Sequence, residues 1–328
     1  MAERIAALGI PVEALSGDRL SLGLPDDPRR AYAEAKRILA ITVAPPSKLK
    51  LQPIAPSADW RVDLAEGCPA HCSYCYLAGS LGGPPITRVY ANLPDILAAV
   101  HARVGQGAVT SRSRRRAHEG TTYEASCYTD PLALEHLTGS LSALVAAFGS
   151  WDADVQLRFT TKFSAVEPLL GLDHNRRTRM RASINPPAFA RFEGGTAPVA
   201  DRLRALRRMA DTGYRIGLTV APIIAAPGWQ DAYSALISDA AAALDGAPDP
   251  DLTVELITHR YTAGSKAVLE SWYPGSALDM TGAGRAEKRT RFGGVKHVYD
   301  ADTMRSLRAF LEGEIARRLP HARILYWT

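Results

Sequence analysis

EGCPAHCSYCYLAG, residues Glu66 to Gly79, holds three of the chain's four cysteines. They stand at Cys68, Cys72 and Cys75, with His71, Tyr74 and Tyr76 between and beside them. Clustered thiols in a chain without an export signal make a poor disulfide framework, because a reducing compartment keeps them free for metals or catalysis. Structural zinc takes four protein ligands, commonly as two C-x2-C pairs, and no second pair exists here. A four-iron four-sulfur cluster ordinarily takes four thiolates, so three leave one iron with an open position at which a substrate or cosubstrate binds. A zinc site completed by His71 or Cys127, and thiols without any ligand, are the competing readings.

Composition sets the frame. At 328 residues, with 46% hydrophobic and 22% charged residues, the chain has the makeup of a globular protein rather than a disordered one. It is long enough for one large α/β domain or two modest ones. The first thirty residues lack a basic start followed by an apolar run, and no segment approaches the roughly 18 unbroken apolar residues of a membrane span. A cytoplasmic protein with no membrane part, and a monomer, is expected. A net charge of +5 and a pI near 9.0 lean toward a polyanionic partner. Basic residues cluster at Arg112 to Arg116, at Arg176 to Arg181, and at Arg285, Lys288, Arg289 and Arg291. Each cluster alone reads as a solvated face, whereas the three together make nucleic acid a candidate partner.

Beyond a Pro-rich stretch at Ala44 to Pro56, short β-rich runs alternate with segments of helical periodicity. Strands are expected near Trp60–Leu64, Thr122–Ser126, Gln156–Thr161, Arg181–Asn185, Tyr214–Pro222 and Leu252–Thr258. Helical spacing runs over Leu93–Val104, Leu132–Phe148, Val199–Ala210 and Tyr233–Leu244. Six β/α units with right-handed crossovers predict a parallel sheet curled into a partial (β/α)6 barrel, with ligands at the carboxyl ends of the strands. An N-terminal extension, residues 1–56, would pack on a catalytic domain of residues 57–328, and Arg323–Trp327 would close an edge. The ligand loop then falls after the first strand and Cys127 after the second, at one rim. Gly67 and Gly79 would let the loop turn tightly against a cluster. The Arg-rich insert within 105–120 would lie at the opposite rim.

The C-x3-C-x2-C spacing after a first strand resembles that of the radical S-adenosylmethionine (AdoMet) enzymes. CPAHCSYCYL, YEASCYTDPLALEHLTGSL (from Tyr123), LRFTTKF (from Leu157), ASINP (from Ala182), YRIGLTVAPI (from Tyr214), LTVELITHRYT (from Leu252) and RFGGVKHVY (from Arg291) resemble, in order and spacing, the spore photoproduct lyase family. The similarity covers residues 55 to 328. It implies a [4Fe-4S] cluster on Cys68, Cys72 and Cys75, S-adenosyl-L-methionine on the open iron, and an electron donor such as flavodoxin or ferredoxin. The implied substrate is DNA carrying 5-thyminyl-5,6-dihydrothymine, a methylene-bridged thymine dimer. In the implied reaction a 5′-deoxyadenosyl radical removes the C6 hydrogen, the bridge opens, and a thiol quenches the remaining thymine radical. Cys127 matches the hydrogen donor, Tyr76 a tyrosine that relays hydrogen, and Tyr74 its assistant.

Lys162, Ser183 and Thr129 sit where the resemblance places AdoMet contacts, and Asn185 adds an amide beside them. Without the resemblance, Lys162 would read as a surface lysine at a strand end and Cys127 as a small buried hydrophobe. Glu124 would either accept from the methionine ammonium or be an exposed strand carboxylate. Arg291 resembles a lesion- or phosphate-contacting arginine, although Phe292 beside it stands where the family has tyrosine. His259 and Arg260 follow the sixth strand toward the mouth, where the guanidinium would hold a phosphate or else pair with Glu255. Two other functions compete: a related radical enzyme acting on a different nucleotide or peptide, and a zinc-stabilised nucleic-acid-binding module without catalysis.

Overall fold

The computed structural model describes residues 1–17, 20–81, 83–107, 109–110, 116–248, 251–289 and 293–328. Arg291 and Phe292, and Arg112 to Arg115 of the Arg-rich insert, lie outside them. Six strands form the body of one sheet: β1 (Ala58–Val62), β2 (Thr121–Ala125), β3 (Val155–Thr161), β4 (Thr178–Ile184), β5 (Arg215–Ile223) and β6 (Thr253–Thr258). They lie in that order, each parallel to the next. Arg323–Trp327 extends the sheet parallel to β6, and Gln52–Ile54 extends it antiparallel to β1. The two end strands do not pair with each other, so the fold is the expected α/β partial barrel. Because every barrel strand runs the same way, all six carboxyl ends meet at one rim.

Outward-facing Tyr123, Leu157, Phe159, Met180 and Val220 pack beneath the helices in one continuous apolar core. The concave face is different, for it is filled by charge. Arg181 on β4 is 1% exposed and pairs with Glu124 on β2 and Glu255 on β6, while its guanidinium also donates to Ser57 Oγ at 2.9 Å. Nearer the strand starts, Arg158 pairs with Glu119, and Asp251 pairs with Arg179 and Arg323. Removing one partner of a buried ion pair leaves the others uncompensated in low dielectric, at a cost of about 3–5 kcal/mol. Arg181→Met should therefore lower the urea-unfolding free energy by about that amount, out of a total of roughly 5–15 kcal/mol. A loss below about 1 kcal/mol would show the triad to be hydrated rather than buried.

Four expectations are corrected here. The basic run Arg176–Arg181 is not a nucleic-acid face, since Arg179 and Arg181 point into the barrel and are buried. Glu124 is neither exposed nor free, being 5% exposed and paired with Arg181. Glu255 takes Arg181 and the Tyr326 hydroxyl, not Arg260. The segment Leu132–Phe148 is also not one helix. It breaks at Gly139, whose φ of 66° suits glycine, and the Glu135 carboxylate accepts from the amides of Leu141 and Ser142 to start the second helix, Ser140–Ser150. Arg116 meets the expectation for the insert: it lies at the strand starts, bonded to Glu119 and to the carbonyls of Pro56 and Ser57. Among the described residues no single helix is long and apolar enough to cross a membrane.

Candidate active site

The thiol loop is held by backbone pairing from a distant segment. His71–Cys72 pairs antiparallel with Glu193–Gly194, the Ser73 amide donates to Phe192 O at 3.0 Å, and the Cys75 amide donates to Cys72 O at 3.2 Å. The chain then leaves through a 3-10 turn, Tyr76–Gly79. Gly67 has φ +80°, and a Cβ there would stand 2.1 Å from Ile86 O. A Cβ on Gly79 would stand 2.9 Å from the Ser265 side chain. Both glycines are thus needed for close approach to neighbouring protein.

All three thiols are half-buried and unbridged. Burial raises the pKa of Cys68, with Asp130 and Cys75 adding to it. Burial, opposed in part by Lys162, pushes Cys72 up to about 12, and burial also raises Cys75. Three half-buried thiols set against one another form a soft donor set that a cationic metal would help to ionise. Lys36 lies beside them, its ammonium on Cys68 O. His71 turns away, its Nδ1 3.3 Å from the Tyr32 hydroxyl. Among the described residues no three Cys, His, Asp or Glu side chains converge on the volume of a single metal ion. The donor set fits a cluster that spans the loop better than zinc completed by His71 or Cys127.

Cys127 follows β2 at the same rim. The residue before it, Ser126, holds a left-handed φ of 55° while its amide bonds Val62 O and its hydroxyl accepts from the Leu64 amide, so the turn is fixed from both sides. Burial, then the Glu124 and Asp63 charges, raise the Cys127 pKa well above the ordinary thiol value. Tyr76, next to Cys75, is 59% exposed, yet its phenol donates to Cys127 O at 2.5 Å. One tyrosine thereby ties the thiol loop to the backbone of the Cys127 turn.

Tyr74 is engaged elsewhere. Its hydroxyl donates at 2.5 Å to Glu193, which also receives Lys162 Nζ at 2.8 Å and Arg202 at 2.6 Å. Burial alone would raise the Glu193 pKa, but the Lys162 and Arg202 charges hold it at about 2. Lys162 is therefore no lone surface lysine: it donates to Glu193 and to Ala221 O at 2.9 Å. Asp130 joins the Cys127 loop to β3, accepting from Thr161 Oγ1 and the Lys162 amide, each at 2.7 Å.

Three rim residues keep buried polar atoms without a partner among the described residues: Thr129 Oγ1, Asn185 Nδ2 and His259 Nε2. Asn185 Oδ1 accepts from Tyr233 at 3.0 Å, and the Ser183 hydroxyl reaches Ala221 O only at 3.5 Å. Burial and the neighbouring Arg285 charge push the His259 imidazole down to about 3, so it is neutral. Unsatisfied buried groups cost free energy unless a ligand uses them. Thr129, Asn185 and His259 follow β2, β4 and β6, at the carboxyl-end rim of the sheet. Glu193 and Lys36 were not foreseen. The run FEGGT offers a carboxylate beside two glycines, but its pairing with Cys72 has no local sign, and Lys36 reaches Cys68 only through the fold.

A family profile described as spore photoproduct lyase matches residues 1–328. The chain is 37% identical over 328 residues to the spore photoproduct lyase of Geobacillus sp. (strain Y412MC61), covering 99% of this chain and 93% of that protein. To the spore photoproduct lyase of Bacillus subtilis (strain 168) it is 38% identical over 298 residues, covering 90% and 84%. A solved spore photoproduct lyase double mutant with bound AdoMet and dinucleoside spore photoproduct superposes with a TM-score of 0.90 at 36% identity, covering 100% of this chain and 93% of that one. A spore photoproduct lyase complexed with dinucleoside spore photoproduct matches equally well, with a TM-score of 0.90.

Proposed function

The chain belongs to the spore photoproduct lyase family, and from that membership we propose that it is a radical AdoMet lyase that returns the spore photoproduct in DNA to two thymines. Tyr76, next to Cys75 in sequence and bonded through its phenol to the Cys127 carbonyl, is the observation that supports the reading, because it joins the thiol loop to the turn that carries the proposed hydrogen donor. Cys68, Cys72 and Cys75 would hold the [4Fe-4S] cluster, which when bound supplies the electron that cleaves the AdoMet sulfonium. A soluble one-electron donor of the flavodoxin or ferredoxin class would reduce it.

The remaining work falls to side chains. Thr129, Ser183 and Asn185 offer hydroxyl and amide groups to AdoMet, and Lys162 offers its charge to the carboxylate by sharing it with Glu193. His259, neutral and buried, presents an aromatic nitrogen at the wall of the mouth. When the methylene bridge of the lesion has opened, a thymine radical remains. Cys127 gives it the hydrogen atom of its S–H bond, which forms the C–H bond and leaves a thiyl. A thiolate has no hydrogen atom to give, so the raised pKa of Cys127 keeps the donor competent at neutral pH. Tyr76, whose phenol bonds the Cys127 carbonyl, would return a hydrogen atom to that sulfur.

Anaerobically reconstituted protein given dithionite, AdoMet and the synthetic dinucleotide lesion should convert the lesion to thymidylyl-thymidine. Cleavage of AdoMet with the lesion left intact would sink the substrate assignment while leaving the radical chemistry in place.

A further inference from the structure

The hairpin Arg285–Arg289 with Val295–Tyr299 is fastened to the mouth just beyond β6. Tyr261 and His297 form a bridge, the His297 amide donating to Tyr261 O at 2.8 Å, and their rings stack at 5.0 Å. Arg285 donates to His259 O at 2.8 Å and lies 3.7 Å over the Tyr299 ring. His259, Tyr261, His297, Tyr299 and Arg285 thus share one face of this small sheet. Side chains alternate along a strand, so Arg260 and Lys296 fall on the other face. Lys288, directly opposite Lys296 in the ladder, joins them there.

That second face is electrostatically unbalanced. Like charges directly opposite each other destabilise an antiparallel pair. Burial, then the Arg260 and Lys288 charges, lower the Lys296 pKa, and burial lowers that of Arg260 despite the nearby Tyr326 and Tyr76. Neither Arg260 nor Lys296 has a hydrogen-bond or ion-pair partner among the described residues. Elsewhere on this rim Lys162 is matched by Glu193 and Arg61 by Asp63. A half-buried guanidinium just after β6, beside two lysines of an anchored hairpin, lacks only an anion.

Resting on the proposed lyase reading, we propose that Arg260 and Lys296, with Lys288 across the ladder, bind the phosphodiester that joins the two thymidines of the lesion. Arg260 lies near Tyr76, whose phenol reaches Cys127, so the phosphate it meets is the one adjoining the reacting bases rather than one farther along the strand. The guanidinium offers two parallel donors to the phosphate oxygens, and the ammonium a point charge.

The test compares two ligands that differ by this one group: dinucleoside spore photoproduct, which lacks the phosphodiester, and the dinucleotide, which has it. Equilibrium binding is measured on holoprotein loaded with iron, sulfide and AdoMet but given no reductant. Arg260→Gln and Lys296→Gln should each weaken dinucleotide binding by about tenfold, and more at low salt, while changing dinucleoside binding less than about twofold. Arg260→Lys should recover part of the loss. Equal losses for both ligands, or none, would overturn the assignment, as would a loss seen only with a longer lesion-bearing strand, which would move the contact to a flanking phosphate. Wild type that binds both ligands equally overturns the anion site alone; wild type that binds neither overturns the substrate reading beneath it.

Discussion

Cys72→Ser, reconstituted anaerobically with iron and sulfide, is expected to lack the brown colour and charge-transfer absorbance of the wild type and to cleave AdoMet only at background when given dithionite. The same holds for Cys68→Ser and Cys75→Ser. A serine hydroxyl is nearly the size of the thiol but a hard, weakly acidic donor, and soft iron–sulfur clusters are held by thiolates. Cys72 is the sharpest choice, because its backbone is pinned opposite Glu193 and the loop cannot shift to recruit a substitute. No spare thiol stands within the loop, since the fourth cysteine follows β2. Cys127→Ser is the control and should keep full colour, because Cys127 is no ligand in this reading. Colour lost with Cys127 as well would make it a fourth ligand and close the position at which AdoMet must bind. Full iron content and AdoMet cleavage in the Cys72 variant would remove the cluster from the loop altogether.

The thiol loop, the six strands and the shared rim of Cys127 were legible because each is encoded locally. Thiol spacing is read within a few residues, and buried parallel strands are continuous β-rich runs. The concave charge was not legible. Arginine in a sequence is ordinarily a surface residue, and RRTRMR looked like a basic face, whereas alternate residues of β4 carry their guanidinium groups into a barrel whose other walls supply Glu124, Glu255 and Asp251. Those partners lie on separate strands, so no window of sequence contains the pair. The break at Gly139 was hidden for another reason: apolar periodicity continues through it, and only the capping role of Glu135 shows that the chain starts a new helix. Glu193 combines both difficulties. It reaches the site through strand pairing across more than a hundred residues, and it alters the reading of two residues that were legible, tying down Tyr74 and engaging Lys162.

That tie separates the roles of the two tyrosines and sharpens what Cys127→Ala should do. With Tyr74 held by Glu193, the phenol in contact with the Cys127 loop belongs to Tyr76. Bridge opening in the lesion needs no thiol, so the alanine variant should still consume AdoMet and the dinucleotide lesion. Without the S–H donor the thymine radical persists, and it should be trapped by solvent-borne reductant or buffer anions, so that intact thymine product falls on the order of tenfold while lesion loss changes far less. Alanine at this position removes one sulfur from a half-buried site without disturbing the bonds of Ser126 that shape the turn, so the fold should be kept. In deuterium oxide, wild type with an exchangeable thiol should place solvent deuterium in the thymine methyl group, and the variant's residual thymine should not derive its label by that route. Clean thymine formation at the wild-type yield by Cys127→Ala would remove this thiol from the reaction and leave Tyr76, whose phenol is the neighbouring O–H donor, as the group that quenches the radical.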